Sequence, residues 1–398
     1  MLFLSLLLVI ISALKSFGQP KEPNTVIMLS MDGFRWDYPE KAHTPVLDSL
    51  EKAGVRAEAL IPSFPTKTFP NHYTIVTGLY PDHHGIVLNS FYNPVLGREY
   101  SISDRSAVTD GRFYRGEPVW VTAGRQGLKT ASCFWVGSEA EINGYRPDYW
   151  LTYDHDMPYA DRIDTVMAWL RLPGSLRPSL ILWYLDQPDH DGHVYGPDAP
   201  ETIHTVEYLD SLLGSFFSRL KRFSSNHPVD VIITSDHGMG EIREGQTIVL
   251  DDYLKPSWIA KLRGSNPNFL IESAPGCTDS ILSVLRNVPG LLSWASEEVP
   301  AELHYGTDPS TLDIVLVAKE GWALVPHHNS RAGRGTHGYI PSDTDMHAIF
   351  YAAGPSFKSG VRIAAFPNID IYPLLCRLLA LKPAPVDGDI KPFLPVLK

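Results

Sequence analysis

The sequence predicts an α/β protein built on a mostly parallel sheet flanked by helices, with loop insertions around a site at one sheet edge. Two observations carry that expectation. Short apolar and β-branched runs alternate with stretches of helical period along the 398 residues, as a parallel sheet with crossover helices requires. Three of those runs also stop at an acidic residue: Asp32 in SMDG, Asp189 in DQPD and Asp236 in SDHG. Ligands in open α/β sheets bind beyond the carboxyl ends of the strands, so three carboxylates are expected to meet at one edge.

The first stretch, MLFLSLLLVIISALKSFGQ (1–19), carries an apolar run from Met1 to Leu14 and then small and polar residues. It is short for a bilayer span and reads as a signal peptide cleaved near Gly18–Gln19. An uncleaved anchor is the alternative, because Lys15 is its only charge. Residues 20–398 then form one domain with no stable membrane span, expected as a monomer in the periplasm or secreted. Strands are expected at 25–33, 179–189, 229–238, 311–319 and 346–354, and helices at 44–53, 69–78, 161–171, 201–223 and 276–287. Residues 89–118 combine turns and aromatics with little periodicity and read as a functional loop or insertion. No repeat or long linker divides the chain.

A formal net charge of −11 excludes a protein that coats nucleic acid, which would show a basic face. It leaves open a phosphate-bearing small substrate, since bound metal ions reverse the sign locally. Cys133, Cys277 and Cys376 are odd in number and widely spaced. They allow at most one disulfide and read as buried small apolar residues.

Each acidic strand end has histidine nearby. Asp189 is followed by His193 in DHDGH, Asp236 directly by His237, and His337 stands in the Gly-rich GRGTHGY. Three carboxylates at one edge repel one another unless positive charge lies between them. Mixed Asp and His donors suit zinc, and three of each can serve two ions. Singly, the signals are weak: strand-terminal Asp often caps a turn, and Asp186, His190 and Asp191 compete within the same segment. His83, His84, His327 and His328 are read as surface or loop residues. Convergence carries the metal reading.

PTKTFPNHYT (65–74) supplies a candidate nucleophile. Thr68 precedes an apolar-periodic helix with Pro70 in its first turn, where proline is tolerated. It therefore sits at or next to the N-cap, where the helix dipole and free N–H groups favour an anion. A threonine hydroxyl becomes a nucleophile when a base or metal ionises it, and Asn71, one turn on, could aim its amide at a phosphate oxygen. Threonine is also a common N-cap, and position alone does not decide between the two roles.

The segments IMLSMDGFRWDY, PSFPTKTFPNHYTIVTGLYPDHHGI, QPDHDGHVYGP, ITSDHGM and GTHGY together resemble the nucleotide pyrophosphatase/phosphodiesterases of the alkaline phosphatase superfamily. The similarity runs from about residue 24 to the C-terminus, where GPSFKSG and LLALKPAP resemble the family's closing segments. The resemblance implies an alkaline phosphatase-like fold and a nucleophilic Thr68. It implies one zinc held by Asp189, His193 and His337, and a second by Asp32, Asp236, His237 and the Thr68 oxygen. Asn71 would steady the phosphoryl oxygens, while Phe69, Asn89 and Tyr153, with Trp135 and Glu139, would contact the nucleobase. The implied reaction converts nucleotides and their derivatives to nucleoside 5′-monophosphates through a nucleotidyl-threonine. The chain resembles a minimal, bacterial, exported form. A phosphodiesterase for choline-headgroup phospholipids and a non-catalytic nucleotide-binding protein are the competing expectations.

Overall fold

Every residue of TVIMLSM, Thr25–Met31, is buried, and this strand, β1, is the axis around which the computed structural model is built. The structure describes residues 25–224 and 227–398; the expected signal peptide, residues 1–19, lies outside them. In chain order the main sheet adds β2 (Val55–Ala57), β3 (Thr130–Cys133), β4 (Tyr149–Trp150), β5 (Leu180–Leu185), β6 (Val229–Thr234), β7 (Phe350–Ala353) and β8 (Val361–Ile363). Their spatial order is β8-β2-β7-β6-β1-β5-β3-β4. Only β7 runs antiparallel to its neighbours; the other pairings are parallel.

Strand alternation sorts β1 between two cores. Val26 and Met28 face one, with Ile75 and Val76 of helix Thr68–Thr77. Ile27, Leu29 and Met31 face the other, with Ile163 and Val166 of Tyr159–Leu170 and Val206, Leu209 and Leu213 of Pro200–Ser224. Each such side chain removed from water contributes about 1.5–3 kcal/mol. The five expected helices are present as Pro45–Ala53, Thr68–Thr77, Tyr159–Leu170, Pro200–Ser224 and Thr278–Leu285. Helix Asp189–Tyr195, which begins at an acidic residue, and Ile371–Leu378 were not expected.

Two strand expectations need correction. The 311–319 run forms Ile314–Ala318, which lies outside the main sheet in a four-stranded antiparallel sheet with Ile259–Ser265, Asn268–Ser273 and Leu291–Ala295. The 179–189 run leaves the sheet at Leu185, and Asp189 opens a helix instead. All three cysteines are free, and burial pushes the Cys133 and Cys376 thiols up to about 12. Among the described residues no helix is long and apolar enough to cross a membrane.

Because β6, β1 and β5 are adjacent and parallel, their carboxyl ends emerge side by side. Backbone contacts then stitch them together. Asp189 N donates to Asp32 O (3.0 Å), and Gly33 N donates to Asp236 Oδ1 (3.2 Å). Gly33 has φ +68°, and a Cβ there would stand 2.8 Å from Asp189 Cα. Gly33→Ala is therefore expected to lower unfolding stability by about 1–3 kcal/mol, through left-handed backbone strain and the clash together. Denaturant titration checks this; a midpoint unchanged from wild type would show slack between the strand ends.

Candidate active site

Asp32, Asp189 and Asp236 arrive at the sheet edge with acceptor atoms that nothing satisfies. Asp32 Oδ1, Asp189 Oδ1 and Asp236 Oδ2 are buried and without a hydrogen-bond partner. Each of these atoms faces histidine Nε2: His237 lies 3.4 Å from Asp32 and 3.0 Å from Asp236, while His193 and His337 each lie 3.5 Å from Asp189. Unpaired buried carboxylate oxygens are costly. Burial and the neighbouring Asp236 and Asp189 charges push the Asp32 carboxyl well above its usual range, against a hydrogen bond from Tyr184. Burial also acts upward on Asp236, but His237 and His72 outweigh it and hold that carboxyl well below its usual range.

The histidines are oriented as ligands. His193 Nδ1 donates to Gly335 O (2.9 Å), His237 Nδ1 to Gly238 O (2.8 Å) and His337 Nδ1 to Thr66 O (2.8 Å). A backbone carbonyl at Nδ1 fixes the tautomer and leaves Nε2 with its lone pair free for a metal. Donor atoms of Asp32, Asp236 and His237 lie within 4.8 Å of one another, and so do those of Asp189, His237 and His337. His237 thus belongs to both groups, and His193 joins through Asp189. The buried oxygens, the free Nε2 atoms and the mixed donor set fit divalent metal. Glu320, Asp343 and Asp345 also cluster, but they offer no histidine and are not buried.

The three threonines of PTKTFPNHYT have separate tasks. Thr66 is fully buried; its hydroxyl donates to Tyr339 O (3.0 Å) and accepts from Gly338 N (2.9 Å), bracing the loop that carries His337. Thr74 is buried against His84 Nε2 (3.0 Å). His84 is therefore an interior residue and not the surface residue expected, and burial pushes its imidazole down to about 3. Thr68 alone is half-exposed, the first residue of its helix, with Oγ1 3.3 Å from His237 Nε2. Lys67, at the N-cap, makes no side-chain cap. Its ammonium donates instead to Asn266 O (2.6 Å), and burial pulls it down to about 7 against the Asp189 charge.

A cleft of about 230 Å³ opens beside Thr68, lined among others by Asp32, Asp189, Phe69, Trp135, Glu139 and Tyr153. Four of the five side chains expected at a nucleobase therefore share one space with Thr68. Asn89 is set apart: its Oδ1 accepts from Phe69 N (2.9 Å) at the helix start. Glu139 is held by both guanidinium nitrogens of Arg105.

Asn71 does not do what was expected of it. It is fully buried; Nδ2 donates to Pro65 O and Lys67 O (both 2.9 Å), and Oδ1 accepts from Ser63 N and Asn368 Nδ2 (both 2.8 Å). Its amide is committed to the loop and cannot reach a phosphate. Sequence reasoning also passed over Tyr184, whose hydroxyl donates to Asp32 Oδ2 (2.7 Å), and His72 and Arg105. Their partners Glu139, Asp32 and Asp236 lie 34 to 164 residues away, and no local pattern marks such contacts.

A family model described as type I phosphodiesterase/nucleotide pyrophosphatase matches residues 26–340. The chain is 35% identical over 378 residues to a venom phosphodiesterase of Macrovipera lebetinus, covering 92% of this chain and 44% of that protein. It is 33% identical over 390 residues to human ectonucleotide pyrophosphatase/phosphodiesterase family member 5, covering 98% of this chain and 81% of that one. It thus spans less than half of the venom enzyme. The structure of the murine member 5, an inactive threonine-to-alanine variant in complex with AMP, superposes with a TM-score of 0.90 at 33% identity, covering 94% of this chain and all of that one. These relatives are animal proteins, and the expectation of a bacterial source is not borne out.

Stripping metal with a chelator and titrating zinc back is expected to raise the unfolding temperature. A site filled at a hundred times its dissociation constant adds about 2.7 kcal/mol. His337→Ala should remove part of that rise. An unfolding temperature indifferent to zinc would mean that the carboxylates are balanced by protons alone.

Proposed function

The chain belongs to the type I phosphodiesterase/nucleotide pyrophosphatase family, and from that premise we propose that it hydrolyses nucleotides and nucleotide derivatives to nucleoside 5′-monophosphates, with Thr68 as nucleophile. The observation that carries the reading is the division of labour among the threonines: of three hydroxyls, only that of Thr68 faces both the carboxylate–histidine set and the cleft. The murine neighbour bears on it twice, being inactive without one threonine and binding AMP.

The base would lie in the cleft between the walls carrying Phe69, Trp135 and Tyr153, the phosphate over the start of the Thr68 helix, whose positive dipole end favours an anion. Two zinc ions, held by Asp189, His193 and His337 and by Asp32, Asp236 and His237, would supply the positive charge that favours the Thr68 alkoxide and the reacting phosphate. Thr68 Oγ1 forms a bond to the α-phosphorus as the bond to the leaving group breaks, and water then releases the nucleotide from the threonine. Asn89 replaces Asn71 as the amide near the phosphate: Oδ1 is fixed by Phe69 N, and its NH₂ has no protein partner among the described residues. We also propose an exported protein, on residues 1–19 alone.

Thr68→Ala is expected to lower turnover of the nitrophenyl ester of thymidine monophosphate by at least about a thousandfold while zinc stays bound. Near-normal turnover would assign the attack to another group. Wild type should prefer that ester to nitrophenyl phosphorylcholine, and the reverse preference would favour a choline-lipid phosphodiesterase.

A further inference from the structure

His72 stands behind the site, fully buried, and touches four parts of it at once. Its Nδ1 lies 2.9 Å from the carbonyl oxygen of Thr68 and 3.3 Å from Asp236 Oδ2. Nε2 lies 2.9 Å from Ser30 Oγ on β1. The ring packs edge-on against Trp135 (centroids 5.2 Å, 81°) and Tyr184 (5.2 Å, 80°), both of which line the cleft. Trp135 Nε1 donates to the His72 carbonyl (3.1 Å).

The partners decide where the ring hydrogen is. A carbonyl and a carboxylate only accept, so the hydrogen sits on Nδ1, and Nε2 accepts from the Ser30 hydroxyl. That N–H bonds the Thr68 backbone, and the Asp236 carboxylate lies close beside it.

We propose that His72 is a positioning residue for phosphoryl transfer: its Nδ1–H holds the Thr68 backbone beside Asp236, and the Ser30 hydroxyl, donating to Nε2, holds the ring in that orientation. The inference rests on Thr68 being the nucleophile. His72 would act through Thr68 and Asp236 without meeting the substrate. Displacements near 1 Å in such a constellation cost up to about a hundredfold in rate.

Asparagine and glutamine separate this role from packing. The Asn amide nitrogen falls close to the place of Nδ1, whereas the Gln amide nitrogen reaches that of Nε2. With zinc saturating and the thymidine ester as substrate, His72→Asn should keep kcat within about threefold of wild type. His72→Gln should lose about tenfold or more, with KM changed by less than about twofold. Equal kcat in the two variants, or a raised KM with unchanged kcat, would reduce His72 to a support for the Trp135 wall and overturn the proposal.

Ser30→Ala keeps the imidazole and tests the same point if the His72 variants fold poorly. A kcat lowered about two- to fivefold at near-native unfolding temperature is expected; an unchanged kcat overturns the claim that the orientation of the His72 ring matters to turnover. Thr68→Ala measured in parallel distinguishes the two failures, because activity surviving there refutes the nucleophile itself.

Discussion

Three carboxylates forced to one buried edge are the constraint from which the rest of this structure follows. The adjacency of β6, β1 and β5 leaves the chain no way to keep Asp32, Asp189 and Asp236 apart. Unit charges about 4 Å apart repel by about 4 kcal/mol at the effective dielectric of a half-shielded protein site. Here Asp32 is 3% exposed and Asp236 fully buried. The two carboxyls move in opposite directions, Asp32 up and Asp236 down. The histidines next to Asp236 explain the split.

That constraint explains why so much of the neighbourhood serves to hold rather than to react. His193, His237 and His337 are aimed by carbonyls at Gly335, Gly238 and Thr66, so two of the three are oriented by a segment other than their own. The loop carrying His337 is in turn braced by the Thr66 hydroxyl. Lys67, next to Thr66, is tied to Asn266, between two strands of the antiparallel sheet. Shifting that sheet would therefore move the residue that precedes Thr68. Its contribution to the site is mechanical.

Much of this was legible in the chain. Apolar runs that stop at Asp32 and Asp236 were legible through their convergence, because a buried parallel strand is predominantly apolar, and Thr68 was marked by Pro70 at a helix start. The antiparallel sheet was not legible. The Ile314–Ala318 run is as apolar as β1, and nothing within an apolar run names its partner strand. Helix Asp189–Tyr195 was hidden because DHDGH is polar throughout and has no apolar period. His72 looked like one more histidine in a motif, since its partners Ser30 and Asp236 lie 42 and 164 residues away.

The exchange between Asn71 and Asn89 shows why a motif can point to the right place and the wrong atom. One helical turn from Thr68, Asn71 is close enough in sequence to serve a phosphate, yet its side chain is on the buried face of a ten-residue helix that hides eight of its residues. There all its hydrogen-bonding capacity goes to Ser63, Pro65, Lys67 and Asn368, which fixes the approach of the chain to the nucleophile. Asn89 arrives from outside the helix and binds the Phe69 N–H with its oxygen alone. An amide held by one end keeps donors to offer; an amide held by both has none. Lys67 leaves the helix start uncapped by its own side chain, and Asn89, reaching in from outside the helix, takes the Phe69 N–H in its place.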